Sequence, residues 1–236
     1  GHSTDGFFSL AHGFLPEIPP IDHLPPQYGD WDQLAKKLPE IVRNNKVSES
    51  ISTLSEMDVG SIDERYLCRL ASLIGIFAHA VVREHQLRFS DETVDIPLVL
   101  LTPWEQVAKR LNRPQIGLTY GDLILYNWKL RDPNGPRVLE NMDLMTPVFG
   151  TQEERIFYLI MVETHSVATP LVGLCCEIGR SIAFSDRKKL KSLLQEVGRV
   201  LEQMTFETFL KIDPNPYSEN HVDHLVWAKT VAPFAF

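Results

Sequence analysis

Cysteine is scarce: 236 residues carry three, Cys68, Cys175 and Cys176. The number is odd and two are neighbours, which excludes a disulfide framework as the basis of the fold. No CxxC pair occurs, so a cysteine-based structural zinc site is not expected either. Positive charge is also short, with 23 lysines and arginines against 31 acidic residues and a net charge of −8. Such a chain lacks the basic surface that displaces counterions from a phosphate backbone, and no nucleic-acid partner is expected. No apolar run approaches the roughly 20 residues that cross a bilayer, so no membrane partner is expected. The N-terminal GHSTDGFFSLAHGF has no basic segment followed by an apolar one, unlike a signal peptide. These features point to a soluble, cytoplasmic protein with reduced thiols. The motifs GxGxxG, GxSxG and HExxH and the Walker loop do not occur, which removes the usual support for nucleotide, hydrolase and zincin chemistry.

What is present is helical periodicity. Hydrophobic residues make up 44% and charged residues 23%, proportions that argue for an ordered core. Five of the sixteen prolines fall in FLPEIPPIDHLPPQY, residues 14–28, which predicts an extended arm. Trp31, Leu34, Ala35, Leu38, Ile41 and Val42 then recur at helical spacing. Ser61-Ile-Asp-Glu64 reads as a capping box opening a helix whose apolar face includes Tyr66, Leu70, Leu73 and Phe77. Thr102-Pro-Trp-Glu105 repeats the signal, with proline at the first helical position. Residues 153–180 are apolar nearly all round and predict one long, deeply buried helix. Another starts at Ser185-Asp186 with Leu190, Leu194, Val197, Leu201 and Met204 on one face, and a last covers residues 219–229. Only residues 94–101 look strand-like, and Pro97 weakens that reading. The expected class is all-α, with a boundary near Phe149-Gly150-Thr151 that divides the chain into residues 1–150 and 151–236.

The residues that could carry chemistry are few. His221 and His224 stand three apart, a spacing that places both on one helix face, but two ligands are not a metal site. His165 falls within the long apolar helix, as a hydrogen-bonded core residue or a contact to a ligand or cofactor. His79, beside Phe77, reads as structural. Tyr120, Leu123, Ile124, Phe157 and Met161 could line an aromatic-accepting pocket, although spacing alone favours plain core.

Several segments together resemble the indoleamine 2,3-dioxygenase family. They are GFLPEIPPIDHLPPQYGDWDQLAKKLPEIV, RLASLIGIFAHAVV and the long run from IPLVLLTPWEQVAKRLNRPQIGLTYGDLILYNW to KLRDPNGPRVLENMDLMTPVFGT. The resemblance implies an all-helical fold, here the small N-terminal domain plus the first helices of the large one. It also implies heme b as cofactor, and opening of the indole C2–C3 bond of tryptophan or a related indole with dioxygen. It places Tyr120, Leu123 and Ile124 in the wall of the indole pocket, Phe157 against the indole ring, and Tyr120 and His165 toward the cofactor. Met161 departs from relatives that carry serine or histidine, since a thioether accepts weakly and donates nothing.

The family's proximal histidine, its Gly-Ser loop and its carboxylate-gripping arginine have no counterpart in this sequence. The resemblance therefore implies a complementary protein subunit that supplies the iron ligand, with His165, His221 and His224 as in-chain alternatives. The other reading is a non-catalytic partner of an active homologue. The apolar end, Val231-Ala-Pro-Phe-Ala-Phe236, is expected to be buried against that partner or against its own core.

Overall fold

A computed structural model describes residues 9–88 and 94–235. Residues 1–8 and Phe236 lie outside it, and so do the readings made of them above. The architecture is helical apart from one short antiparallel ladder, as the periodicity predicts.

α3 (Leu67–Arg88) forms the axis of the packed region. Leu70, Leu73, Ile74, Ile76 and Phe77 are all fully buried, so the helix is covered on every side rather than along one stripe. α1 (Gly29–Arg43) lays Trp31, Leu34, Ala35 and Leu38 against it, and the Trp31 and Phe77 rings stack at 6.2 Å. A buried polar link fixes the register. Arg69 donates to Asp32 at 3.1 Å and to the Thr146 hydroxyl at 2.7 Å, while Asp32 also accepts from the Leu24 amide at 2.6 Å. One carboxylate thereby ties the proline-rich arm, α1 and α3 together. The start of α3 differs from expectation. Short 3-10 turns cover Val59–Ser61 and Glu64–Tyr66, and Asp63 rather than Ser61 caps, accepting from the Arg65 amide at 3.0 Å.

The strand expected over residues 94–101 is a helix instead. α4 (Leu98–Arg110) begins directly after Pro97, whose carbonyl accepts from the Leu100 and Leu101 amides. A short apolar run cannot distinguish strand from helix by itself, and here Leu100, Trp104, Val107 and Leu111 form a buried helical face. Pro103 sits inside this helix, not at its start. The ladder lies elsewhere: β1 (Trp128–Leu130) pairs with β2 (Met142–Leu144), Trp128 opposite Leu144.

The long helix of residues 153–180 is two helices. α5 (Gln152–Val167) ends at Ala168, and α6 (Thr169–Ala183) restarts with Pro170 in its first turn, where a missing N–H is tolerated. α5 opens with the Thr151 cap, and the buried Glu154 carboxylate accepts from the Val148, Phe149 and Gly150 amides at 2.7–2.9 Å. Burial outweighs those donors and pushes the Glu154 carboxyl up to about 6. α5 is deeply buried as expected, but α6 is not: Val172, Leu174 and Ser181 are its only buried residues.

α7 (Arg187–Gln203) starts where predicted, with Asp186 accepting from the Lys189 amide. Its apolar stripe is largely open, with Leu194 54% and Leu201 48% exposed. α8 (His224–Lys229) and α9 (Ala232–Ala235) return to the packed region, where Val231 and Phe234 are buried. Val231 and Phe234 of the apolar end thus pack onto this chain's own core. Two helical runs, Glu64–Arg88 and Gln152–Ala183, are long and apolar enough to cross a bilayer by composition, which corrects the expectation that none is. The most apolar 18-residue stretch of the first is 78% buried inside the protein, so the core accounts for its apolarity.

Candidate ligand cavity

α3, the turn after residue 118, α5 and residues 233–234 enclose a cavity of about 620 Å³. That volume lies in the range of small-molecule and cofactor sites. Leu118, Leu123 and Ile124 form one wall, Phe157, Tyr158 and Met161 the facing one, and Pro233 with Phe234 closes an end.

The first wall is held by a π-helical turn, Gly121–Leu125. Asp122 is fully buried beneath it. Its two oxygens accept from both terminal nitrogens of Arg113 at 2.8 Å and from the Thr119 amide and hydroxyl. A bidentate guanidinium–carboxylate pair has fixed planar geometry, so the turn presents Leu123 and Ile124 to the cavity at a set angle. On α5, Phe157 and Met161 are four residues apart and therefore share a face. Trp227 backs Phe157 at 5.2 Å between ring centroids.

Tyr120 also lines the cavity but is about half exposed, at its mouth. Its hydroxyl pairs with His165 Nε2 at 2.8 Å, and the two rings meet edge to face at 5.7 Å. Burial raises the Tyr120 phenol above its ordinary range and lowers the His165 imidazole below its own. Both groups are thus neutral near pH 7, one suited to donate and the other to accept. The Phe14 ring from the proline-rich arm lies 5.8 Å from His165.

All five pocket candidates from the sequence therefore border a single space, and His165 touches it through Tyr120. His221 and His224 do not line it. The helix expected over residues 219–229 begins only at His224, with Asp223 as its cap, and His221 instead bridges to Asp213. The shared helix face that would have aligned His221 with His224 does not form. Among the described residues no three histidine, cysteine or acidic side chains gather as a metal site.

Sequence reasoning missed one wall. His79, Arg83 and Gln86, at spacings of four and three on α3, all line the cavity. His79 packs edge-on against Phe234 at 5.9 Å, and burial lowers its imidazole below the usual range. The signal was available as three polar residues on one face of an otherwise apolar helix.

A helical protein with an aromatic-walled slot of this size has room for a flat organic ligand between packed elements. Its family is specific: residues 7–222 match the indoleamine 2,3-dioxygenase family, and the chain belongs to it. It is 30% identical over 198 residues to indoleamine 2,3-dioxygenase 1 of Rattus norvegicus, covering 83% of this chain and 46% of that protein. Against indoleamine 2,3-dioxygenase of Saccharomyces cerevisiae the identity is 28%, covering 89% and 48%. Against the 6-hydroxytryptophan 2,3-dioxygenase of Fusarium equiseti it is 26%, covering 84% and 48%. The chain spans about half the length of the curated relatives it matches.

Proposed function

We propose that this chain forms the indole-receiving part of a heme-dependent dioxygenase acting on tryptophan or a related indole. The observation that carries this reading is the convergence of Tyr120, Leu123, Ile124, Phe157 and Met161 on one cavity. An apolar slot between two rigid walls orients a flat ring and keeps water from it, which is the protein's share of cofactor chemistry. Residues 1–150 act as the small domain and residues 151–236 as the first helices of the large one.

The residues present fit a heme in size and polarity. The cavity is predominantly apolar, and His79 lines it without a hydrogen-bond partner among the described residues. Heme b would lie against Tyr120 and His165, with the indole held beyond it by Leu123, Ile124 and Phe157, and when bound it supplies the activation of dioxygen. The complementary half of the family fold, on a further segment or a second subunit, brings the proximal iron ligand and covers the open apolar faces of α6 and α7. The exposed Ile182, Phe184, Leu194 and Leu201 support that cover. The exposed, free Cys175 and Cys176 support a reducing, cytoplasmic setting.

Hemin titration followed by absorbance tests the reading. Saturable uptake near one equivalent, with a Soret shift that indole perturbs, is the expected result. Absence of uptake by the chain, both alone and with a homologue's C-terminal half added, contradicts it.

A further inference from the structure

The cavity has a charge asymmetry that its apolar lining hides. Among the described residues Arg83 is its one formally charged lining residue, and no aspartate or glutamate lines it, in a protein whose net charge is −8. Among the described residues no carboxylate lies within ion-pairing distance of Arg83. One terminal nitrogen donates to the Lys229 carbonyl at 2.8 Å, and the guanidinium stands 5.9 Å from the Phe149 ring. These contacts hold the side chain in place without neutralising it and leave most of its five donors available. The nearest acid along the helix, Glu84, is turned away: its oxygens accept from the Val47 and Ser48 amides and the Ser48 hydroxyl and face Arg88. Beside Arg83 stand His79 one turn before, half-buried and unbonded, and Gln86 one turn after, at the rim.

A half-buried, preorganised cation next to an apolar slot is the arrangement that receives an anionic group on an otherwise apolar ligand. We propose that the α3 face of His79, Arg83 and Gln86 is a carboxylate-binding wall, and that the cavity takes a flat aromatic ligand bearing a carboxylate. Arg83 supplies the charge, His79 and Gln86 supply neutral hydrogen bonds on either side, and Phe157 and the Leu123–Ile124 turn bracket the ring. The carboxylate belongs either to an indole substrate or to a porphyrin propionate; both present the same chemistry to Arg83. This inference rests on the aromatic-cavity reading above and adds a residue set to it.

Calorimetric titration of the full chain with indole, indole-3-propionate and hemin decides it, using wild type, Arg83→Met and Arg83→Lys. A hydrogen bond to a charged group converts to roughly tenfold or more in affinity. Arg83→Met should therefore weaken one or both carboxylate ligands by about tenfold or more while leaving neutral indole within about twofold, and Arg83→Lys should retain part of the preference. Loss confined to indole-3-propionate assigns the carboxylate to the substrate; loss confined to hemin assigns it to the porphyrin. An equal loss for indole and indole-3-propionate would mean that Arg83 acts only by holding Lys229, and would overturn the proposal, as would binding insensitive to Arg83. If wild type binds none of the three, the cavity reading itself fails and this wall fails with it.

Discussion

α3 and α7 both read in sequence as helices with an apolar face and meet opposite fates in the fold. α3 is enclosed by α1, α2 (Val47–Ile51), α4 and the π-turn, whereas α7 packs mainly on α6 and leaves Leu194 and Leu201 about half exposed. The difference shows that periodicity identifies which face of a helix is apolar, not what covers it. The cavity lies at the enclosed end of that contrast, where its walls are fixed. The hairpin of α6 and α7 lies at the open end, where an apolar face is exposed.

The contrast can be broken by truncation. Phe77→Ala on α3 should cost roughly 3–5 kcal/mol in urea denaturation, through lost burial and a cavity. Leu194→Ala on α7 should stay within about 0.5 kcal/mol. Similar costs would mean that the hairpin is covered in solution. Next in size is the π-turn: Asp122→Ala removes the bidentate carboxylate partner of Arg113 and should destabilise by about 3 kcal/mol, the range for breaking a buried ion pair. A wild-type melting curve from that variant would show the turn to be soft.

Two carboxylates sharpen the comparison through pH. In the enclosed region the Glu154 carboxyl is raised to about 6 by burial. The unfolded chain releases this proton near the ordinary glutamate value of 4.5 while the folded chain keeps it, so between those values the folded state holds more protons. Stability should therefore fall as pH rises from about 4.5 to about 6, by roughly 2 kcal/mol from this group. Glu154→Gln should flatten that slope; an unchanged slope would show that the carboxylate is fully compensated by its three amide donors. On the hairpin, Glu177 is lowered by hydrogen bonds from Lys189 and Arg180. Its contribution has the opposite sign, present at neutral pH and lost on acidification, and solvent screening keeps it small. The smallest effect is chemical. Cys175 and Cys176 on α6 should react with a thiol reagent in the native chain, and buried Cys68 only on unfolding.

Much of the enclosed region was readable from sequence because local signals and packing agree there. The apolar faces of α1 and α3 and the Asp186 start of α7 follow from periodicity and capping chemistry, which act within a few residues. The misreadings fall where a distant contact or a proline decides. Residues 98–101 carry no period long enough to separate strand from helix, and the buried stripe they form with Trp104 and Val107 settles it. Pro170 divides an apolar stretch that is continuous in composition, and exposure of α6 depends on what lies beside it. His221 and His224 have ligand spacing, but the Asp213 bridge draws His221 out of the helix. At the cavity, resemblance pointed to five residues, yet the fourth wall of His79, Arg83 and Gln86 reads in sequence as ordinary polar punctuation of a core helix. Only the approach of Phe234, some 150 positions away, makes it a wall.

A cavity that admits a flat aromatic ring between Phe157 and the Leu123–Ile124 turn is the premise on which the rest stands. Met161→Trp places an indole of its own in that space from α5, at a half-buried position that leaves the packed face of the helix untouched. Calorimetric titration of indole into this variant, with its melting temperature taken alongside, should show binding abolished and the fold retained. Unimpaired indole binding by a folded Met161→Trp chain would contradict the account, because the ligand would then sit somewhere else.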